Sequence, residues 1–446
     1  MLNINVRTSV MAWLGRKYLP RLQGNGFDLS KLTFLPATTL APLRRHGLDP
    51  VPELARTRVS APVSSLPLPF GLTAWLVTGY DAVKAVLGRP DGFSSDFTHL
   101  QRNVGVVARH SPGGLGFSDP PAHTRLRRLL TPEFTAHRLA RLTPRIHAIV
   151  DERLAEMAAR ARDGRPVDLV QAFALPVPSL VICELLGVPY ADRADFQRLS
   201  TARFDLYDGA DASFGAISDS LSYLLDIVAG QRRAPGDGLL GRLIREHGDE
   251  IGDEELAGLA DGVLTGGLET TASMLALGTL VLLRDPEHFA LIRDGGTRGG
   301  ADAAADGNAR DGVVDRFVEE LLRYLTVVQV AFPRFAREDM EIAGVRISRG
   351  DLVVCSLSGA NRDEDLGPGM ERFDPHRGRV PSHLAFGYGI HRCVGAELAR
   401  MELRAAYPAL VRAFPRMRLA VDPAALSFRR LSIVYGVDAL PVLLNP

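Results

Sequence analysis

Near the C-terminus the stretch Phe386-Gly387-Tyr388-Gly389-Ile390-His391-Arg392-Cys393-Val394-Gly395 places one cysteine where it could hold a metal. Two glycines before the cysteine allow a tight turn, and a third follows it. The next residues, Ala396-Glu397-Leu398-Ala399-Arg400-Met401-Glu402-Leu403, form a strong helix-forming run. Cys393 therefore sits at or just before a helix N-terminus, where unpaired N–H groups favour thiolate over thiol. An isolated cysteine is ordinarily a small buried hydrophobe. Here, however, it belongs to a Phe-Gly-x-Gly-x-His-x-Cys-x-Gly pattern. At residue frequencies of about 5% each, such a match has odds of about one in a hundred thousand in a chain this size.

Three further groups of residues could do chemistry. Gly266-Gly267-Leu268-Glu269-Thr270-Thr271 lies inside a long apolar helical stretch, Leu256 to Leu283. Polar residues in a buried helix need partners, threonine can bond back to the preceding turn, and adjacent glycines weaken the helix. The pattern predicts a local opening beside a cavity; a plain kink is the alternative. Glu320-Leu321-Leu322-Arg323 puts opposite charges at i, i+3, a spacing common on solvated helix faces, and Glu319 could pair with Arg323 at i, i+4 as a surface bridge. Asp119-Pro120-Pro121-Ala122-His123-Thr124-Arg125-Leu126-Arg127-Arg128 starts a basic helix with His123 and Arg127 on one face, either to meet an anion or as a solvated cationic surface.

With these motifs in this order, the chain resembles the cytochrome P450 family from about Asp49 to Pro446. The resemblance implies a mainly α fold with a minor β region, and haem b buried between a long central helix and the cysteine-loop helix. Cys393 would be the axial thiolate ligand, which favours O–O cleavage. Phe386 would shield the sulfur, Gly387 and Gly389 would let the backbone pass close to the porphyrin, and Gly395 completes the loop. His123 and Arg127 would bind one haem propionate region, and Arg334 with His391 the other. Oxygen would bind near Gly266 and Gly267, with Glu269 and Thr270 delivering protons. Glu320 and Arg323 would be buried, and Arg377 would join them in bracing the cysteine loop.

The implied activity is that of a haem-thiolate monooxygenase, using O2 to hydroxylate or otherwise oxidise a small organic substrate, as in a bacterial secondary-metabolite tailoring step. Phenol coupling, epoxidation or aromatic nitration would use the same haem, and a non-catalytic haem sensor or carrier is the alternative of another class. The cavity walls expected from the family layout are Phe93 to Phe117, Phe196 to Tyr223, Val263 to Thr270, Val327 to Phe332, and Ser432 to Tyr435. Phe117, Phe204, Phe332 and Tyr435 would suit an apolar or aromatic body. The chain has no dinucleotide-binding glycine loop and no further cysteine cluster. Electrons would come from a separate ferredoxin and its NAD(P)H-dependent reductase, docked on arginines near the cysteine loop.

The elements that must position these residues follow from composition and period. The 446 residues are 46% hydrophobic, enough for one large core or two ordinary ones. Basic and acidic residues balance at 52 each, so no overall field attracts nucleic acid or anionic lipid. Cys183, Cys355 and Cys393 are too few and too odd in number for a disulfide framework, which points to a reducing, cytoplasmic setting. Only Lys17, Lys31 and Lys84 are lysines, which suggests arginine-biased, GC-rich bacterial coding. No apolar run approaches the length of a membrane span, and a monomer is expected. Residues 1–48 form an N-terminal extension without an assigned role, ahead of a single catalytic domain, 49–446. Helical period runs from Asp119 to about Gly295, with Arg138 to Arg162 as one long helix. Ala74–Thr78, Glu341–Ile347 and Leu352–Ser356 read as strands and Tyr80–Leu87 as a helix. The Gly-, Ala- and Asp-rich stretch 294–312 reads as a flexible insertion.

Overall fold

The computed structural model describes residues 37–67, 73–96, 115–161, 163–188, 210–295, 312–377 and 380–445. Residues 1–36, 97–114 and 196–209 of the expected cavity walls, and 296–311 of the insertion lie outside the described residues.

The described chain is mostly helical. A small sheet starts with β1 (Val63–Pro67) and β2 (Thr73–Val77), followed by helix α1 (Tyr80–Leu87) and the short strand β3 (Phe93–Ser94). Helices α2 (Ala122–Leu130), α3 (Thr143–Arg160), α4 (Pro176–Leu186), α5 (Ala210–Arg233), α6 (Asp253–Arg284), α7 (Pro286–Gly295) and α8 (Val313–Leu325) come next. Strands β4 (Arg334–Ala336) and β5 (Leu352–Cys355) return to the sheet, and α9 (Ala396–Ala413) follows the cysteine. The sheet order is β1-β2-β5-β4-β3. Its one parallel pair is β5 on β2, with Leu352 opposite Ala74 and Cys355 opposite Val77. The minor β region thus joins strands from distant parts of the chain into one unit.

The periodicity reading fails at Arg138 to Arg162. The chain there makes a four-residue helical turn, Ala136–Leu139, then a 3-10 turn, and α3 begins only at Thr143 with Pro144 in its first turn. Proline fits a helix start because the missing N–H would be unbonded there anyway. Glu341–Ile347 is two strands, Met340–Ile342 and Val345–Ile347, turning through Ala343 and Gly344 at φ 48° and 77°. The packed body also begins before Asp49. Arg45 Nε donates to Gln329 Oε1 at 2.9 Å and Nη2 to the Thr326 carbonyl at 2.9 Å, while Tyr435 donates to the Gly47 carbonyl at 2.6 Å.

Helix α6 is the axis of the molecule. Asp253, Glu254 and Glu255 occupy its first turn, where negative charge complements the helix dipole. It is long and apolar enough to cross a membrane, which corrects the sequence reading, but 78% of that stretch is buried inside the fold. The largest core cluster gathers apolar side chains of α3, α4, α6, α8 and α9 around it. Tyr407 on α9 donates to the Met274 carbonyl at 2.5 Å and lies against Gly278, where no side chain would fit. Close crossing of α6 and α9 is thereby fixed, and with it the distance from α6 to the cysteine loop.

Candidate active site

The cysteine loop is held by its own backbone. Gly387 and Gly389 adopt φ of 69° and 72°, the left-handed region glycine enters without steric cost. Cys393 N–H donates to the Phe386 carbonyl at 2.8 Å, closing the loop, and α9 starts three residues on. The two glycines differ in purpose. A Cβ on Gly387 would meet open space, whereas one on Gly389 would overlap the Leu87 carbonyl at the end of α1. Gly389 is therefore required by packing against α1.

Cys393 keeps accessible surface although protein surrounds it. Burial pushes its thiol up; the Gly395 N–H and the charges of Arg127, Arg392 and Arg400 pull it down without winning. The Gly395 N–H at the helix start acts in the expected direction, toward thiolate, and a cation bound to the sulfur would add to it.

The face of α6 turned to open space carries Thr265 and Gly266, both exposed although mid-helix. The helix runs unbroken through the two glycines, so the expected local opening is not formed. Thr270 Oγ1 instead bonds back to the Gly266 carbonyl at 2.6 Å. Gly266 has nothing within reach of a Cβ, while a Cβ on Gly267 would lie 2.8 Å from Ile182 of α4. Of the pair, only Gly266 leaves room beside the helix; Gly267 serves helix packing. Glu269 accepts from Arg429 Nη1 at 2.5 Å. Burial raises the Glu269 carboxyl to about 7, with Arg429 opposing. Arg429 is a residue the sequence reading missed.

A cationic cluster forms where α2, β4, the Ser94–Asp96 segment and the cysteine loop meet. The His123 ring is 4.4 Å from that of His391, centroid to centroid. His123 is buried, and neither of its ring nitrogens has a hydrogen-bond partner among the described residues. His391 Nε2 pairs with Ser95 Oγ at 3.0 Å, while its Nδ1 lies toward the Leu115 backbone without a well-formed hydrogen bond. Burial, helped by Arg334 and His123, pushes the His391 imidazole down to about 3. Burial also lowers Arg127 and Arg334, and among the described residues Arg334 donates only to the Phe332 and Pro333 carbonyls, at 2.8 and 3.3 Å. The nearby Asp119 is already bound to Ser94, Ser95 N–H and Arg337. Such a set of partly and fully buried donors, with both His123 nitrogens and His391 Nδ1 unpaired among the described residues, beside an accessible cysteine fits a cofactor that carries two carboxylates and that Cys393 would hold.

Glu320 and Arg323 are fully buried and joined by a fork: Nε to Oε2 at 2.8 Å and Nη2 to Oε1 at 2.7 Å. The same guanidinium donates to the Asn361, Met370 and Arg372 carbonyls. Arg377 Nε lies 3.5 Å from Glu320 Oε1. Glu319 does not pair with Arg323; it binds Arg400 and His383. Phe117 and Phe332 meet at 4.5 Å between centroids. Tyr435 departs from the expected cavity wall, since its ring stacks on Phe428 at 5.7 Å and its hydroxyl is used by Gly47. Phe204 lies outside the described residues.

Comparison with known proteins matches this arrangement. The family model described as Cytochrome P450 matches residues 71–234 and 229–418. Cytochrome P450 165B3 of Amycolatopsis orientalis is 40% identical over 90% of this chain and 97% of its own. The cytochrome P450 monooxygenase PikC of Streptomyces venezuelae is 39% identical over 88% and 91%. Among solved structures, OxyE, a cytochrome P450 involved in teicoplanin biosynthesis, has a TM-score of 0.79 at 38% identity over 92% of this chain and 99% of its own. The chain belongs to the cytochrome P450 family.

Proposed function

We propose that this P450 monooxygenase binds haem b through Cys393 and oxidises a small organic molecule in a bacterial secondary-metabolite tailoring step. The observation that carries the site assignment is the group of two arginines and two histidines, with free donor capacity, beside an accessible cysteine. His123, Arg127, Arg334 and His391 would meet the propionates, while Cys393 would hold the iron. Haem, once bound, supplies activation of dioxygen and the two-electron oxidation of substrate.

The rest is done by the chain. Gly266 leaves space beside α6. Glu269, poised near neutral pH, can take up and release a proton at its carboxyl, and Thr270 Oγ1 can turn from the Gly266 carbonyl to pass one on. Arg429 keeps the Glu269 carboxylate oriented. Phe117 and Phe332 offer an aromatic surface for an apolar substrate. Glu320, Arg323 and Arg377 act on folding and haem retention.

Relatives favour the tailoring role: OxyE is described as involved in teicoplanin biosynthesis. The same likeness supports phenol coupling as a second reading, to be separated by product analysis. Electrons would come from a ferredoxin and its reductase in the cytoplasm, with the exposed Arg128 at the end of α2 and the exposed Arg392 in the cysteine loop offering charge to an acidic partner. The N-terminal residues 1–36 have no proposed role. Thr270→Ala tests the proton route: electron consumption should uncouple from product formation, and unchanged coupling would remove Thr270 from it.

A further inference from the structure

Glu319, Arg400 and His383 form a cluster that oxygen chemistry leaves unused. Glu319, on α8 beside Glu320, accepts from Arg400 Nε at 2.5 Å and Nη2 at 2.9 Å, and its Oε2 is 3.1 Å from His383 Nε2. The fork is bidentate, the geometry in which arginine and carboxylate pair best. Burial acts to raise the Glu319 carboxyl, but Arg400 and His383 outweigh it and hold it well below the usual carboxylate range, so Glu319 stays charged. Arg400, in the second turn of α9, lies with Cζ 4.7 Å from the centre of the Phe386 ring. Phe386 is tied to Cys393 through the loop-closing hydrogen bond. The Arg400 charge also acts on the Cys393 sulfur directly.

We propose that Glu319 and Arg400 are positioning residues that set the electron affinity of a haem iron held by Cys393. Arg400, stacked on Phe386, supplies positive potential on the sulfur side, and Glu319 limits it. The proposal rests on thiolate ligation by Cys393. Adding an electron to a ferric thiolate centre adds negative charge beside the sulfur, so net positive charge there favours the reduced state. Glu319→Gln leaves Arg400 uncompensated and raises the reduction potential. Arg400→Gln removes the cation, leaves Glu319, and lowers it. Arg400→Lys keeps the charge while losing the fork and the planar stack, and stays close to the unmodified protein. A loop that was merely loosened would shift both glutamine variants in one direction.

The test is a spectroelectrochemical titration of the haem-loaded full chain and the three variants, each first checked for its reduced carbon monoxide band. We expect opposite shifts of about tenfold in the ferric–ferrous equilibrium constant for the two glutamine variants, ~59 mV each for one electron. Shifts of the same sign, or none, on a protein with a normal thiolate band overturn this proposal alone. A wild-type band at the histidine-ligated position overturns the thiolate reading and this proposal with it. Should Glu319→Gln lose its haem, Arg400→Lys against Arg400→Gln decides: equal loss in both means that packing and not charge is at work.

Discussion

Glu269 shows how burial and one partner set a side chain's use. Its carboxyl stands at about 7 in the fold against 4.5 in the open chain. A raised acid binds its proton more tightly when folded, so it stabilises least once pH exceeds the folded value. As pH climbs from about 4.5 to about 7, wild type should lose up to roughly 3 kcal/mol relative to Glu269→Gln, measured by urea unfolding across that range. Without Arg429 the carboxyl should rise further. In Arg429→Gln a protonated-carboxyl infrared band, assigned by its loss in Glu269→Gln, should persist at pH values where wild type has lost it; identical titrations would remove Arg429 from the account. Cys393 was legible because a loop motif compresses its neighbours into ten residues. Arg429 was not, since it reaches Glu269 across 160 positions of sequence and no spacing rule links them.

At the scale of elements, the buried brace on α8 should be costly to break. Removing one partner from Glu320–Arg323 leaves an unpaired buried charge, and Glu320→Ala should destabilise by about 3–5 kcal/mol, read from unfolding of the apoprotein. Loss near zero would mean a solvated pair. The i, i+3 spacing was visible, but whether that face met solvent or core was not, because periodicity leaves the packing partner open. Glu319 illustrates the same gap: its sequence neighbour Arg323 was the wrong partner, and Arg400 on α9 was the right one. The cysteine loop carries a second contrast. Gly389→Ala must displace the end of α1 as well as strain its backbone, whereas Gly387→Ala strains backbone alone, about 1–2 kcal/mol. Thermal unfolding should rank Gly389→Ala as clearly the worse; equal losses would contradict the packing role of Gly389. Helix α1 and strand β5 were read within a residue of their ends, while the break before α3 was missed because Pro144 fits a continuing apolar period as well as a new start.

At the scale of the molecule, α6 crosses the core, and its contact with α9 through Tyr407 and Met274 ties it to the helix that follows the cysteine loop. The mainly helical fold and its minor sheet were legible from the change of period along the chain. The crossing of β5 onto β2 was not, because parallel pairing of distant strands leaves no local mark. With no net charge, the chain has no global field to steer a partner, so docking must rest on local arginines. Electron transfer from an acidic ferredoxin should slow as salt rises, and Arg128→Glu should slow it at low salt; a salt-independent rate would place docking elsewhere. The central claim is that Cys393 holds haem as a thiolate. The direct measurement is the absorption spectrum of the dithionite-reduced, carbon monoxide-bound protein. We predict a strongly red-shifted Soret band that disappears in Cys393→Ala. A band at the position of histidine-ligated haem, or one unchanged in Cys393→Ala, would contradict it.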